Sequence, residues 1–274
     1  MLLQVQGVSK RFGGLQALSD VSLRIERGQV YGLIGPNGAG KTTFFNVITG
    51  LYTPDAGRFE LAGQPYEPTE VHRVAQAGIA RTFQNIRLFA EMTALENVMV
   101  GRHVRTHSGL WGAVFRTAGF RAEEAAIEAR ARELLHYVGI GDLADDKART
   151  LSYGDQRRLE IARALATDPQ LIALDEPAAG MNATEKVQLR ALIDQIRHDH
   201  GTVLLIEHDV KLVMGLCDQV TVLDYGKVIA QGPPAQVQRN PHVIEAYLGT
   251  GGAATAATAT AAASATQLPT GSSA

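Results

Sequence analysis

One segment of the chain has the residue types and the spacing that phosphate binding requires. Gly35-Pro-Asn-Gly-Ala-Gly-Lys41-Thr42 follows an apolar run and precedes a helical pattern, and it fits the P-loop sequence G-x-x-x-x-G-K-[ST]. Glycines let backbone N–H groups converge on phosphate oxygens, and the start of a helix adds a favourable dipole. We expect Lys41 to reach the β- and γ-phosphates of a nucleotide and the Thr42 hydroxyl to bind Mg²⁺. A purely structural glycine turn is the alternative, which the strand–turn–helix context disfavours.

A second segment places two carboxylates at the end of an apolar run. Leu171-Ile-Ala-Leu is followed directly by Asp175 and Glu176. A carboxylate at the carboxyl end of a parallel strand faces the ligand crevice, where we expect Asp175 to position Mg²⁺ through water. Glu176 beside it is suited to polarise an attacking water molecule. Such a pair taken alone is more often a solvated strand end, but a P-loop upstream favours the catalytic interpretation.

The elements around these segments predict a mainly parallel α/β core. Continuous apolar runs bounded by turn or charged residues are typical of strands that are covered on both faces. Three such runs lie at Val30–Ile34, Leu171–Leu174 and Val203–Ile206. Helical periodicity alternates with them, from Lys41 onward and over Glu123–Val138, Asp155–Ala166 and Thr184–Ile196. Asn182 and Glu185 have the spacing of a capping box before the last of these helices.

The remaining segments have a different organisation. Up to Gly63, short strand-like runs alternate with glycine turns. Between Gln84 and Leu151 the strand signal disappears, which indicates a helical insertion. After Gly249 no charged residue remains and Leu268 is the one large apolar residue. We therefore expect residues 250–274 to be a disordered tail.

Composition narrows the function classes. A formal net charge of −2 over 274 residues gives no support for a nucleic-acid-binding surface. Cys217 is the only cysteine, so an intramolecular disulfide is excluded and a reducing compartment is favoured. The start of the chain lacks the pattern of a signal peptide, and no apolar run has the length of a membrane span. We expect any membrane role to depend on partner chains.

Further motifs make the sequence from Leu2 to Leu248 resemble the ATP-binding cassette (ABC) family. Leu151-Ser-Tyr-Gly-Asp-Gln156 resembles the signature sequence LSGGQ of that family. Gln84 is similar to the Q-loop glutamine, His208 to the switch histidine, and Phe12 to the aromatic residue that stacks on adenine. Without the other motifs, His208 and Phe12 would be interpreted as structural residues.

The resemblance implies a fold, a cofactor and a set of sites. The implied fold is α/β, a P-loop NTPase core of ABC type with an amino-terminal antiparallel β subdomain and a helical insertion, and the implied ligand is ATP with Mg²⁺. The implied division is 1–83 for the β subdomain and the P-loop part of the core, 84–155 for the Q-loop and the helical subdomain, 156–249 for the second part of the core, and 250–274 for the tail. The implied roles are catalysis for Glu176, His208 and Gln84, metal binding for Thr42, Gln84 and Asp175, and nucleotide binding for Phe12, Asn37, Gly38, Gly40, Lys41, Thr42, Thr43, Ser152 and Gly154.

Three positions depart from the family pattern. Tyr153 replaces the first signature glycine, Asp155 replaces the signature glutamine, and Asn182 replaces the aspartate of the D-loop. In the family, the helix that begins at the signature segment caps the γ-phosphate held by another subunit, which implies a dimer. Because Lys41 and the carboxylate pair are intact, we still expect hydrolysis, while its rate stays open.

Longer segments resemble a narrower group, the ATP-binding subunits of bacterial branched-chain amino-acid importers. They are Arg81–Phe89, Tyr153–Arg163, Leu174–Gly180 and Ile206–Met214. The resemblance implies a second ATP-binding subunit (a paralogue or a copy of this chain), two transmembrane permease subunits and an extracytoplasmic solute-binding protein, with no nucleic acid. It also implies a peripheral position on the cytoplasmic face of the bacterial inner membrane. Relatives of this group also import urea or short amides.

The sequence disfavours two alternative functions and predicts one surface for contact with partner chains. A soluble ABC ATPase that acts on ribosomes or DNA usually carries two cassettes or long coiled-coil or zinc insertions, whereas this sequence has one cassette, no cysteine cluster and no basic excess. A P-loop kinase would not explain the signature segment or His208. Beyond Gln84, the apolar residues from Ile86 to Phe89 and Met92 predict a surface for permease contact, with packing inside the helical insertion as the alternative.

Overall fold

The computed structural model describes residues 1–102 and 118–249. The strands in these ranges are β1 (Leu3–Phe12), β2 (Leu15–Ile25), β3 (Val30–Ile34), β4 (Ala56–Leu61), β5 (Gln64–Pro65), β6 (Ile79–Arg81), β7 (Leu171–Asp175), β8 (Thr202–Ile206), β9 (Gln219–Asp224) and β10 (Lys227–Gly232). The helices are α1 (Lys41–Ile48), α2 (Val71–Ala77), α3 (Ala94–Arg102), α4 (Ala118–Tyr137), α5 (Tyr153–Leu165), α6 (Ala183–His198), α7 (Val210–Leu216), α8 (Pro234–Val237) and α9 (Pro241–Gly249).

A six-stranded sheet forms the centre of the molecule. Its strand order is β10-β9-β3-β8-β7-β6, and every neighbouring pair is parallel except β9 with β10. Successive residues of the three predicted apolar runs are fully buried and contribute in alternation to two hydrophobic clusters, as Leu33 and Ile34 do. Strands covered on both faces are required to be apolar throughout, and the predicted parallel core is confirmed.

A four-stranded antiparallel sheet, of order β2-β1-β4-β5, covers one side of this core. Alternate residues of its strands, such as Val5, Leu23 and Phe59, join one hydrophobic cluster with Phe44 and Phe45 of α1. The period of two residues is what a sheet with one buried face requires. The structure therefore contains the antiparallel β subdomain that the family resemblance implies.

The second hydrophobic cluster contains the helices between β6 and β7. Val98 of α3, Leu135 of α4 and Leu159 of α5 are buried in it together with residues of the central sheet. In the described part of this region an isolated antiparallel bridge, Thr93 with Lys147, stands in place of strands. The predicted helical insertion is present, whereas the exact division of the chain into subdomains stays a prediction. The predicted tail, 250–274, lies outside the described residues.

Three helices begin earlier than their periodicity predicts: α4 at Ala118, α5 at Tyr153 and α6 at Ala183, against predicted starts at Glu123, Asp155 and Thr184. The predicted start of α5 is Asp155, but the helix begins at Tyr153 because the Ser152 side chain caps it by accepting a hydrogen bond from the Asp155 N–H. Tyr and Gly are weak helix formers, and the cap overrides that preference.

No helix within residues 1–102 and 118–249 has the length and apolar character needed to cross a lipid bilayer.

The order of the strands decides which loops meet. The segments after β3, β8, β7 and β6 leave the same edge of the sheet, since the carboxyl ends of parallel strands share one edge. These segments are the P-loop, Glu207-His208, Asp175-Glu176 and the loop that contains Gln84. Segments far apart in the sequence are thereby neighbours.

A capping box starts α6, and its loss should be measurable. The Asn182 side chain accepts from the Glu185 N–H at 3.0 Å, and the Glu185 carboxylate accepts from the Asn182 N–H at 2.8 Å. We expect Asn182→Ala to lower the free energy of unfolding by about 1 kcal/mol, which lowers Tm by a few degrees in a chain of this size. Asn182→Asp retains an acceptor and should melt near the wild type. Equal melting of the Ala variant and the wild type would show that the box contributes nothing.

Candidate functional site

The P-loop connects β3 to α1 through backbone conformations that require glycine. Gly35 has φ +152°, and a Cβ there would lie 2.1 Å from the carbonyl oxygen of Leu223. Gly40, the residue that caps α1, has φ +100°, and its Cβ would lie 2.7 Å from the carbonyl oxygen of Ala17. Any side chain at these two positions would meet backbone atoms. The loop is therefore held tightly between the β9–β10 hairpin and β2.

Lys41 holds its positive charge inside this loop. Its side chain is buried, and Nζ donates hydrogen bonds to the carbonyl oxygens of Gly35 at 2.8 Å and Pro36 at 2.9 Å. Burial lowers the pKa of Lys41, while the carboxylates of Glu176 and Asp175 act in the opposite direction and favour the charged form. The ammonium group is thus hydrogen-bonded to the P-loop and favoured electrostatically by the carboxylates at the end of β7.

A cleft of about 280 Å³ adjoins the P-loop. Six of the residues predicted to bind nucleotide line it: Phe12, Gly38, Gly40, Lys41, Thr42 and Thr43. The loop residue Asn37 is exposed and is not among the lining residues. The remaining lining residues are Leu15, Gln16, Ala17, Ala39 and Tyr225. The structure thus brings together Phe12 and the P-loop, which the sequence separates by more than twenty residues.

Two aromatic residues border the cleft, and the sequence motifs predict one of them, Phe12. Phe12 is half-exposed and contacts the Tyr52 ring edge-on, with ring centroids 5.3 Å apart. Tyr225 is 79% exposed and has φ +42° in the β9–β10 turn. The neighbouring Gly226 N–H donates to the Ala39 carbonyl at 2.9 Å, which attaches the turn to the P-loop. No local pattern in the sequence distinguishes Tyr225 from an ordinary turn residue.

Asp175 ends β7 in a nearly dry environment, where its side chain is only 4% exposed. Burial raises the pKa of this carboxyl to about 6, against the opposing effect of the Arg81 guanidinium. Arg81 itself is held by the Thr49 hydroxyl at 2.7 Å and the Asn46 side-chain oxygen at 3.2 Å. A carboxylate kept partly dehydrated is well suited to attract a divalent cation.

Glu176 follows in a conformation that few non-glycine residues adopt. Its φ is +45°, and its N–H donates to the Ile206 carbonyl at 2.9 Å. Backbone strain of this kind is typical of functional sites. Gln84 Nε2 donates to Glu176 Oε2 at 2.9 Å, and His208 Nδ1 lies 3.7 Å from the same oxygen. The three residues predicted to be catalytic therefore meet at one carboxylate.

The backbone at His208 is anchored by the buried carboxylate of Glu207, the residue before it. Glu207 has no exposed surface, and it accepts hydrogen bonds from the N–H groups of Ala178 at 2.8 Å and His208 at 3.2 Å. Burial raises the pKa of Glu207, while these bonds and the His208 side chain act in the opposite direction. Glu207 thus connects the loop after β7 to the loop after β8.

The signature segment lies apart from this cleft. Ser152 and Gly154 open α5 and are not among the residues that line the P-loop cleft. The Ser152 hydroxyl donates to the Asp155 carboxylate at 2.6 Å. The carboxylate that departs from the family pattern is therefore hydrogen-bonded locally, and it also lies 3.9 Å from Arg158. Within one chain, these residues are thus not part of the cleft beside the P-loop.

Comparison with known proteins relates most of the chain to ABC transporters. The family model described as "ABC transporter" matches residues 18–179, and the model described as "Branched-chain amino acid ATP-binding cassette transporter" matches residues 227–253. The chain is 47% identical over 249 residues to the high-affinity branched-chain amino acid transport ATP-binding protein BraF of Pseudomonas aeruginosa, and 46% identical over 249 residues to LivG of Escherichia coli. Each alignment covers 90% of this chain and 98% of the relative.

A solved structure supports the same comparison at the level of the fold. It is the ADP conformation of an ATP-binding cassette of an ABC transporter, with a TM-score of 0.79 and 33% sequence identity. The superposition covers 90% of this chain and 98% of the other.

The raised pKa of Asp175 predicts a pH-dependent gain in stability when its charge is removed. The folded chain holds this proton more tightly than the unfolded chain, where the pKa is about 4. The free energy of unfolding therefore falls as the pH rises from about 4 to about 6. Above pH 6 the buried charge of Asp175 has its full destabilising effect. We expect Asp175→Asn to raise Tm of the nucleotide-free chain, by more at pH 8 than at pH 5.

The exposed residue Asp145 supplies the matched control. Asp145→Asn should change Tm little at either pH. A lower Tm for Asp175→Asn at pH 8 would contradict the assignment of a destabilising buried carboxylate.

Proposed function

This chain belongs to the ABC transporter family and is an ATP-binding, ATP-hydrolysing subunit of that family, and on that premise we propose that it energises a branched-chain amino-acid importer. The meeting of Gln84 and His208 at Glu176, beside Lys41 and Asp175, is the observation that carries the hydrolytic part of the proposal. The assignment of solute rests on the relatives that are named for branched-chain amino-acid transport and on the matching carboxyl-terminal segment.

The residues at the sheet edge fit a Mg²⁺ ion. Mg²⁺ prefers oxygen ligands and is usually held by one or two protein groups together with phosphate oxygens and waters. Thr42, exposed at the cleft, and Asp175, at the end of β7, offer oxygens of this kind, and the Gln84 side chain offers another. The bound ion would neutralise charge on the triphosphate, while Lys41 acts on the β- and γ-phosphates.

Hydrolysis then requires a water molecule to be oriented beside the γ-phosphate. The Glu176 carboxylate is proposed to accept a hydrogen bond from that water and to polarise it. Gln84 donates to one oxygen of Glu176, which limits the orientations of the carboxylate. His208, 3.7 Å from the same oxygen, is proposed to donate a hydrogen bond to the γ-phosphate. Phe12 is proposed to stack on adenine at the rim of the cleft.

ATP-binding subunits of this family dimerise and work with permease subunits. Ser152 and Gly154 lie outside the cleft that Lys41 and Phe12 line, which supports their proposed action on the nucleotide of a second subunit. We propose a paralogous ATP-binding subunit or a second copy of this chain as that partner. The proposed assembly adds two permeases and an extracytoplasmic solute-binding protein, and its site is the cytoplasmic face of the bacterial inner membrane.

The residues after Gln84 are proposed to contact the permeases. Phe89 and Met92 are half-exposed, whereas Leu88 packs against the larger hydrophobic cluster. The Phe89 backbone is held on both sides by Asn97, whose Oδ1 accepts at 2.9 Å and whose Nδ2 donates at 3.1 Å. A change of the Phe89 side chain should therefore leave the loop in place. Leu88, which the sequence groups with Phe89, is instead a packing residue.

Replacement of the proposed catalytic carboxylate tests the hydrolytic role. We expect Glu176→Gln to bind MgATP, to hydrolyse it at least about tenfold more slowly, and to accumulate as a nucleotide-bound dimer. A tenfold loss corresponds to about 1.4 kcal/mol of activation free energy. The measurements are steady-state ATPase rates and size-exclusion chromatography with ATP. The control is Glu67→Gln on an exposed loop, and near-normal turnover of the Glu176 variant would contradict the assignment.

The proposed permease contact predicts that uptake and nucleotide binding are separable. We expect Phe89→Asp to bind ATP with wild-type affinity, because no part of the cleft changes, but to lose permease association in pull-down and leucine uptake in cells. Ile244→Asp on α9 is a control of matched exposure, 46% against 47% for Phe89, and it should retain both. Wild-type leucine uptake by cells with Phe89→Asp would show that this surface is not needed for permease contact. Wild-type leucine uptake by cells that lack the chain would contradict the proposed solute class.

A further inference from the structure

The segment that carries Gln84 has no backbone support of its own. Within the part of the chain that the structure describes, residues 83–88 take part in no backbone-to-backbone hydrogen bond. The segment nonetheless presents the Gln84 side chain to Glu176 at 2.9 Å. A loop without backbone pairing needs other contacts to hold one side chain at hydrogen-bonding distance from a carboxylate.

Two charged side chains of α5 supply those contacts. Glu160 Oε1 accepts from the Phe83 N–H at 3.1 Å. Arg157 Nη1 donates to the Phe83 carbonyl at 2.6 Å, and Nη2 donates to the Gln84 carbonyl. The backbone on both sides of the Phe83–Gln84 peptide is therefore bonded to α5, while the Gln84 side chain is bonded to Glu176.

The two side chains also form an ion pair of unusual burial. Arg157 Nη1 lies 3.0 Å from Glu160 Oε2, and the side chains are 2% and 1% exposed. A buried ion pair is weak evidence for stability, because apolar residues of similar volume often serve as well or better. An apolar pair could not replace its hydrogen bonds, because N–H groups of Arg157 and the second carboxylate oxygen of Glu160 bind backbone groups of the Gln84 loop.

The same arginine reaches the signature segment. Arg157 Nη2 donates to the Tyr153 hydroxyl at 3.2 Å, and its guanidinium carbon lies 5.6 Å from the centre of the Tyr153 ring. Tyr153 stands next to Ser152, which caps α5. Tyr153, a departure from the glycine of the signature, thus becomes a partner of the residue that holds the Gln84 loop.

We propose that Arg157 and Glu160 are positioning residues for Gln84, and that with Tyr153 they connect the signature segment to the catalytic carboxylate within one chain. The inference rests on the proposed function, because it assigns the network a role in ATP hydrolysis. A displacement of the signature segment when it engages a second subunit would be passed through Arg157 to the backbone of Gln84. Neither side chain touches the nucleotide in this proposal; both act through Gln84.

The test replaces the pair as a unit, so that no unpaired buried charge remains. We expect Arg157→Met combined with Glu160→Leu to keep a cooperative melting transition and the wild-type KM for ATP, because the cleft is unchanged. We expect kcat to fall about tenfold, which is about 1.4 kcal/mol of activation free energy. Hydrogen exchange at the Phe83 amide should also become faster, since its acceptor is removed.

A double-mutant cycle separates positioning from a general structural role. In a Gln84→Ala background, the pair replacement should lower kcat little further, because the residue that it positions is already absent. A purely structural contribution would multiply the two losses. Effects that multiply, or a wild-type kcat for the pair variant, would overturn the proposal.

A second variant tests the proposal if the first one cannot be purified in folded form. If the pair variant does not fold, Arg157→Gln combined with Glu160→Gln retains a neutral acceptor for the Phe83 N–H and leaves no buried charge unpaired. It should show a smaller loss of kcat that also disappears in the Gln84→Ala background, and a loss that persists there would overturn the proposal.

The control is Arg130→Met with Glu133→Leu, an exposed pair with the same spacing on α4, which should keep wild-type kcat. A wild-type chain without MgATPase activity would contradict the proposed function itself, whereas an active wild type with an unaffected pair variant would contradict only this inference.

Discussion

The central strands of the six-stranded sheet are buried on both faces, and this burial decides where charged residues can lie. Strands β3, β7 and β8 are buried along their whole length, so polar residues are tolerated only where these strands end. Because the strands are parallel, those ends share one edge, and the P-loop, Asp175-Glu176 and Glu207-His208 meet there. The strand order adds the Gln84 loop through β6. The site follows from the way the sheet excludes charge from its interior.

Charge at this edge is costly, and neighbouring groups compensate for it. Burial raises the pKa values of Asp175 and Glu207 and lowers that of Lys41, so each group is less stable as an ion than it would be in water. The arginines Arg81 and Arg157 favour the ionised form of Asp175. Stability lost here is the expected consequence of holding carboxylates ready for a cation, because a functional site is rarely the most stable arrangement of its residues.

Helix α5 joins parts of the molecule that are otherwise separate. Its first residues form the signature segment, its middle holds the Gln84 loop through Arg157 and Glu160, and Leu159 and Ile161 anchor it in the core. An element buried on one side and hydrogen-bonded to a loop on another can pass on a displacement, because a packed interior does not deform smoothly. The helical insertion is thus connected to the catalytic edge through polar contacts as well as through shared packing.

The mainly parallel α/β core, the P-loop, the carboxylate pair and the capping box at Asn182 are predictable from the sequence, because each is encoded in neighbouring residues whose periodicity or spacing has a local physical cause. Three features become visible in the folded chain alone: Tyr225 borders the cleft, Leu88 is a packing residue while Phe89 is exposed, and Arg157 holds Phe83, 74 residues away. Those contacts join segments that no local pattern relates. They depend on the order of the strands and on the packing of the helical insertion against the sheet.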